Sequence, residues 1–337
     1  MKFKLLIFIL IFFQIQTGFG QLSDSIKIHI DSSLLILKQN SLYANKVDWE
    51  HLKLQVYDSA KIATTKAQTF TALKIAFNAL DDKHAAYYQY EDEYKVENKL
   101  LLARYSDSIK FAWSRGPRIY SKMINNIAYI NVPFIGVNKQ TDIDKFANWI
   151  YNAVVELDKN NPKGWILDLR LNGGGNIRPM LAGLALFFHG GVVSYYIDRD
   201  GNATDESAFY NGDFTIAGVK QVTIDNKQSK RIDSKVAVLI GPGTASSGEG
   251  VAAVFHERKK TKIFGENSAG LANSTQGFVF NDNNSYFLIS TAYLGNSKKK
   301  VLPEFIKPDI IVKGNDAFTD ITKDTVVKSA IKWLENK

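Results

Sequence analysis

Two short apolar runs in this chain each lead into a turn of glycines and small residues, and each turn leads into a helical pattern. The first is Trp165-Ile166-Leu167-Asp168-Leu169, followed by Gly173-Gly174-Gly175 and a helix over 177–188. The second spans 236–240, followed by Gly241-Pro242-Gly243-Thr244-Ala245-Ser246-Ser247-Gly248-Glu249 and a helix over 248–256. Strands buried on both faces read as continuous apolar runs, and parallel strands need crossover helices between them. The pattern therefore predicts an α/β fold around a parallel sheet. A strand over 128–132, an amphipathic helix over 142–157 and a strand at 262–264 extend it. Hairpins are expected over 192–236, at the turn dipeptides Asp200-Gly201 and Asn211-Gly212. Two more strands are expected over 278–292 and a last helix over 320–335.

The front of the chain has a different period. From 22 to 80 apolar positions recur about every 3.6 residues, and no Pro or Gly interrupts 21–115. This predicts a helical subdomain, closed by Asp81-Asp82-Lys83-His84. The charged, aromatic stretch over 90–118 reads as a linker with helical pieces. Residues 1–20 carry Lys2 and Lys4, an apolar run over 5–13, then Gly18 and Gly20. That is the layout of a secretory signal cleaved near Gln21. The expected organisation is a signal over 1–20, an N-terminal helical subdomain and linker over 21–120, and a core over 121–337, exported to the periplasm or beyond the cell.

Composition narrows the chemistry. The 337 residues contain no Cys, which excludes a disulfide scaffold, a thiol nucleophile and a zinc-thiolate site. After Gly20 no stretch approaches 18 apolar residues, so no stable membrane insertion is expected once the signal is removed. The net charge of +8 is scattered. Lys298-Lys299-Lys300 and Arg258-Lys259-Lys260 lack interleaved aromatics and read as solvated surface, not as a nucleic-acid site.

A small-residue turn between strand and helix leaves a hydroxyl exposed where helix amides point outward. Such a place suits a serine nucleophile, because the attacked carbonyl oxygen becomes negative beside fixed N–H donors. Taken alone, the turn also fits a phosphate site or a plain N-cap. Gly173-Gly174-Gly175 can offer a nest of N–H groups or simply a tight loop. It lacks the Lys-Ser/Thr of a phosphate-binding loop.

Together the segments resemble the tail-specific (C-terminal processing) and tricorn-core serine peptidases. Leu167-Asp168-Leu169-Arg170-Leu171-Asn172-Gly173-Gly174-Gly175 is similar to that family's Asp-Leu-Arg-x-Asn-x-Gly-Gly block. Thr244-Ala245-Ser246-Ser247-Gly248-Glu249 resembles its nucleophile block, in which the serine lies three residues before an acid. Gly265-Glu266-Asn267-Ser268-Ala269-Gly270, Ile306-Lys307-Pro308-Asp309-Ile310 and Leu80-Asp81-Asp82-Lys83-His84 match three further elements in order. The resemblance implies a crotonase-like ββα core, Ser246 as nucleophile, and oxyanion donors from the backbone of Ser247 and of Gly173 or Gly174. It implies no metal or other cofactor.

Departures from the family pattern shape the expected mechanism. The processing branch places a lysine base where this chain has Leu271, which cannot take a proton. A serine hydroxyl needs an adjacent base, and the tricorn branch supplies a histidine from the N-terminal side. His84 stands at the matching place, with Glu304 the nearest candidate for the acid that orients it. Read in isolation, His84 also fits a capping or core histidine. Glu249 and Glu266 read as structural. Only residues 85–126 separate His84 from the core, close to the roughly 40-residue lower limit of a self-standing domain and too short for a PDZ module. The expected activity is hydrolysis of peptide bonds in a peptide or protein substrate. A non-catalytic binding protein on the same scaffold and an esterase-like hydrolase are the alternatives. The oligomeric state stays open.

Overall fold

The computed structural model describes residues 22–336; the signal read over 1–20 lies outside the described residues. Helices α1 (Asp24–Asn40), α2 (Trp49–Ala60) and α3 (Phe70–Leu80) follow the 3.6-residue pattern. Ser23 caps α1 by accepting the Ile26 N–H, and Asp48 caps α2 by accepting that of His51. Their stripes meet in one core that includes Ile30, Leu37, Val56, Leu73 and Phe77. Helix α3 stops at Asp81, in the left-handed region at φ 52°, which donates its N–H back to Phe77 O.

The next segment corrects the linker reading. It holds a hairpin, β1 (Ala86–Gln89) and β2 (Asp92–Lys95), before the short helices α4 (Lys99–Leu102) and α5 (Asp107–Ser114). Strand β2 is exposed apart from Tyr94, so it carries no apolar alternation that could have announced it.

The remaining chain runs β3 (Tyr120–Ile124), β4 (Ile127–Asn131), α6 (Gln140–Asp158), β5 (Gly164–Asp168) and α7 (Ile177–Gly183). A meander follows: β6 (Gly191–Ile197), β7 (Ala203–Tyr210), β8 (Asp213–Ile216) and β9 (Val219–Lys220). Then come β10 (Lys235–Ile240), α8 (Ser247–His256), β11 (Thr261–Gly265), β12 (Asn273–Phe280), β13 (Ser285–Asn296), β14 (Ile310–Ile311) and α9 (Thr325–Glu335).

Two sheets form. One has the order β14-β11-β10-β5-β4-β3 and is parallel except for the edge hairpin β3–β4. Its central strands β4, β5 and β10 are largely apolar because both faces are covered. Ala128, Ile130, Trp165, Leu167, Val236 and Val238 face the core under α6, α7 and α8. Their neighbours Ile127, Tyr129, Ile166, Ala237 and Leu239 pack with Val327, Ala330 and Leu334 of α9. The period-2 alternation is thus between two cores, not between core and water.

The second sheet is antiparallel, with order β2-β1-β13-β6-β7-β8-β9, and β12 also pairs with β13. Ala86 of β1 lies opposite Leu288 of β13. The N-terminal helices therefore share their core with Phe287 and Ile289, from near the other end of the chain.

Candidate active site

Strands β5 and β10 are adjacent and parallel, with Asp168 opposite Leu239. Their carboxyl ends open into the two small-residue turns, which face each other outside the sheet. Ligands of open α/β sheets bind at such strand ends. The turns are zipped together: Thr244 Oγ1 donates to Leu169 O (2.9 Å), and the Ala245 N–H donates to Asn172 O (2.9 Å).

Ser246 is the N-cap of α8 and forms a capping box with Glu249. Its backbone is unlike that of an ordinary cap, which lies in the β region. It sits at φ 53°, ψ −120°, a conformation that costs a non-glycine residue roughly 1–3 kcal/mol. Glu249 holds it there. This fully buried carboxylate accepts the Ser246 N–H (2.9 Å), Ser268 Oγ–H (2.5 Å), the Gly270 N–H (2.9 Å) and the Leu271 N–H (2.8 Å). Burial pushes the Glu249 carboxyl above its ordinary pKa, against the pull of these four hydrogen bonds.

The glycine loop presses on the serine. An added Cβ at Gly174, whose φ is +103°, would lie 2.7 Å from Ser246 Cβ. The Gly174 N–H is already donated to Asn172 Oδ1 at 3.0 Å, so it is not a free oxyanion donor. The Gly173 N–H donates to no group among the described residues, nor does that of Ser247 at the first position of α8. The Ser247 hydroxyl donates to Gly175 O (2.6 Å), which distinguishes it from its neighbour.

Behind the loop, Arg170 is buried between Asp168 (Nη2–Oδ2 2.6 Å) and Asp324 (Nη1–Oδ2 2.8 Å). Asp324 also caps α9 by accepting the N–H groups of Val326 and Val327. The C-terminal helix is thus tied to the start of the glycine loop by a buried ionic network, costly to break.

His84 lies between α3 and β1, half-buried. Its backbone N–H donates to Asp82 Oδ1 (3.0 Å), and its Nδ1 is buried without a hydrogen-bond partner. Burial lowers the pKa of the imidazole and the Asp82 charge raises it, with a net shift below the ordinary value. Asp82 is itself buried and anchored to β13 by the N–H (2.8 Å) and Oγ–H (3.0 Å) of Ser290. No hydrogen bond joins His84 to Ser246 among the described residues. Glu304, expected as the orienting acid, is exposed and makes no ion pair or hydrogen bond among the described residues. The carboxylate at His84 is Asp82. Its signal was present in the sequence, in the two-residue spacing Asp82-Lys83-His84.

The Leu271 side chain packs with the cluster of Leu101, Ala245 and Ala269. Two other histidines are engaged elsewhere, His256 with Asp309 (3.1 Å) and His189 with Asp233 (2.6 Å). His29 is buried against Phe280, its pKa pushed down to about 4, first by burial and then by Lys66.

Residues 126–312 match the family model described as peptidase family S41. The chain belongs to that family. This S41 chain is therefore a serine-type peptidase, a hydrolase whose substrates are peptides or proteins. It is 26% identical over 311 residues to the nisin-resistance protein of Lactococcus lactis subsp. lactis, covering 92% of this chain and 87% of that one. It is 27% identical over 193 residues to the carboxy-terminal processing protease CtpA of Bacillus subtilis (strain 168), covering 57% of this chain and 36% of that one. A lipoprotein structure from Streptococcus agalactiae superposes with a TM-score of 0.69 at 19% identity, covering 94% of this chain and 98% of that one. That likeness shows a shared mixed α/β fold. No helix among the described residues of this S41 peptidase is long and apolar enough to cross a membrane.

Proposed function

We propose that the chain is an exported serine peptidase in which Ser246 is the nucleophile and His84 the general base. Ser246 Oγ attacks the scissile carbonyl carbon as His84 takes its proton. The N–H groups of Ser247 and Gly173 receive the carbonyl oxygen as it becomes negative. His84 then gives the proton to the leaving amine, and water repeats the sequence on the acyl-enzyme. Asp82, by its charge beside His84, favours the imidazolium formed in between; Glu304 has no part.

The observation that carries this reading is the backbone of Ser246. An ordinary cap of α8 would lie in the β region, whereas Ser246 at φ 53°, ψ −120° is held in a costly conformation that projects its hydroxyl from the turn. The missing His84–Ser246 hydrogen bond is compatible with the role, since catalytic hydrogen bonds often tighten only around substrate. The parallel sheet, with α6 to α8 on one face and α9 on the other, supports a crotonase-like ββα core over 121–337. Residues 22–119 contribute the helices α1 to α3, the hairpin β1–β2 that joins β13, and the short helices α4 and α5, and 1–20 is the export signal.

A fluorophosphonate probe tests the nucleophile. The adduct is expected on Ser246 and absent in Ser246→Ala; labelling that persists there and vanishes in Ser247→Ala would reverse the assignment. A panel of matched peptides and esters distinguishes a peptidase from an esterase-like hydrolase. Sequencing the N-terminus of protein from the native host tests export, and an intact Met1 on cytoplasmic protein would refute it.

A further inference from the structure

A cavity of about 720 Å³ opens beside the glycine loop, with Gly173 and Leu171 in its wall. It falls within the roughly 300–1,000 Å³ range in which proteins bury ligands. One wall is a face of the edge hairpin. Tyr120 and Lys122 of β3 lie opposite Asn131 and Tyr129 of β4, and all four border the cavity. Helix α5 contributes Phe111 and Trp113, and the Trp113 indole N–H donates to Leu171 O (3.1 Å), two residues before Gly173. Phe134 and Phe318 complete an aromatic lining, with Phe111, Tyr120 and Phe134 each more than 40% exposed.

The charges on this lining are unequal in their partners. Arg115, Arg118 and Lys122 border the cavity and make no salt bridge among the described residues. Two of the carboxylates are paired with cations, Asp168 with Arg170 and Asp320 with Lys323; Asp316 accepts, among the described residues, only from the neutral Ser106 Oγ–H (2.6 Å), so one negative charge stands against the three free cations. Arg118 and Lys122 are four residues apart on an extended segment, roughly 13 Å at strand rise. One terminal carboxylate cannot meet cations spread that far.

Resting on the peptidase reading above, we infer that this cavity is a substrate subsite for an acidic peptide segment carrying an aromatic residue. The aromatic side chain enters between Trp113, Phe134 and Phe318, and flanking Asp or Glu side chains meet Arg115, Arg118 and Lys122. The net charge, +8 for the full sequence and +6 once Lys2 and Lys4 leave with the signal, favours the encounter with such substrates.

The test uses the full Ser246→Ala chain, which binds without turnover, and four acetylated peptides. They are Glu-Phe-Glu-Ala amide, Gln-Phe-Gln-Ala amide, Lys-Phe-Lys-Ala amide, and Gln-Phe-Gln-Ala as the free acid, titrated by calorimetry. The Glu peptide is expected to bind about tenfold tighter than the Gln amide, the sum of several modest exposed ion pairs, and to lose that advantage as salt rises. Replacing Arg115, Arg118 and Lys122 together by Gln should remove the advantage and leave the Gln amide unaffected. The single change Arg118→Gln, at an exposed site, gives a smaller loss should the triple variant not fold. Phe134→Ala should weaken both peptides. Equal binding of Glu and Gln peptides, tighter binding of the Lys peptide, a gain matched by the free acid alone, or indifference to the cation changes would each overturn the inference. Wild type that binds the Glu peptide and cleaves nothing refutes only the peptidase proposal. Cleavage without acidic preference refutes only the subsite.

Discussion

The turn after β5 and the turn after β10 leave adjacent parallel strands at the same end of one sheet, and each runs into a helix. Both offer backbone N–H groups to the same space. Only the second also offers a side chain. In the glycine loop the positive φ belongs to Gly174 and Gly175, and Gly174, which has no Cβ, can lie against Ser246. In the serine turn it belongs to Ser246, held by a buried carboxylate with four donors. On the proposed mechanism the amides of both turns serve the oxyanion, and only the serine turn adds a hydroxyl on a strained residue held by a buried group.

The strongest way to break this comparison is Ser246→Ala. It should lower kcat by on the order of 10⁴-fold or more, with the fold intact. Equal loss in Ser247→Ala, measured on the same substrate, would erase the distinction between the two hydroxyls.

His84→Ala follows, with an expected loss of roughly 10²–10⁴-fold in kcat. The pH profile sharpens it. The base must be unprotonated, so kcat/KM falls as pH drops through the His84 pKa. Burial lowers that pKa, so the acid limb should lie below the roughly 6.5 of an ordinary imidazole. Asp82→Asn removes the charge that favours the imidazolium, and the limb should move further toward acid. A limb unchanged in Asp82→Asn would detach Asp82 from the base.

Glu249→Ala should cost about 3 kcal/mol in urea unfolding, since it strands buried donors. The sign of its linkage is unusual for a carboxylate. Its folded pKa is raised, so its contribution is fullest below the ordinary Glu range and is lost as pH rises through the raised value.

Two glycine changes test the close approach itself. Gly174→Ala puts a Cβ 2.7 Å from Ser246 Cβ at a φ of +103°, and should cost about 100-fold in kcat through displacement of the serine. Gly173→Ala meets nothing within 4 Å and keeps its N–H, so kcat should stay within about twofold. The reverse order would exchange the roles of the two residues. The smallest effect is Glu304→Gln, an exposed change expected to alter kcat/KM by less than about twofold.

Much of the parallel core was legible because burial on both faces writes uninterrupted apolar runs such as 165–167 and 236–240. Helices α1 to α3 were legible for the complementary reason, one buried stripe at helical spacing. The hairpin β1–β2 was not, since an exposed edge strand like β2 needs no apolar pattern and is held by pairing alone. Strand β3 escaped for a related reason: one of its faces lines a cavity instead of a core.

The sequence alone determined the α/β alternation, the serine offset by three residues from its acid, the lost lysine at Leu271 and the candidate histidine. The alternation is a local pattern fixed by backbone period; the serine, the absent lysine and the histidine are what the resemblance of local motifs to the serine peptidases implies. Only the tertiary structure decided which N–H groups stay free, that Asn172 claims Gly174, that Asp82 stands at His84, and that three cations meet an aromatic cavity beside Gly173. Each of those depends on what a distant segment brings to a hydrogen-bonding group, and spacing along a chain carries no record of its neighbours in space.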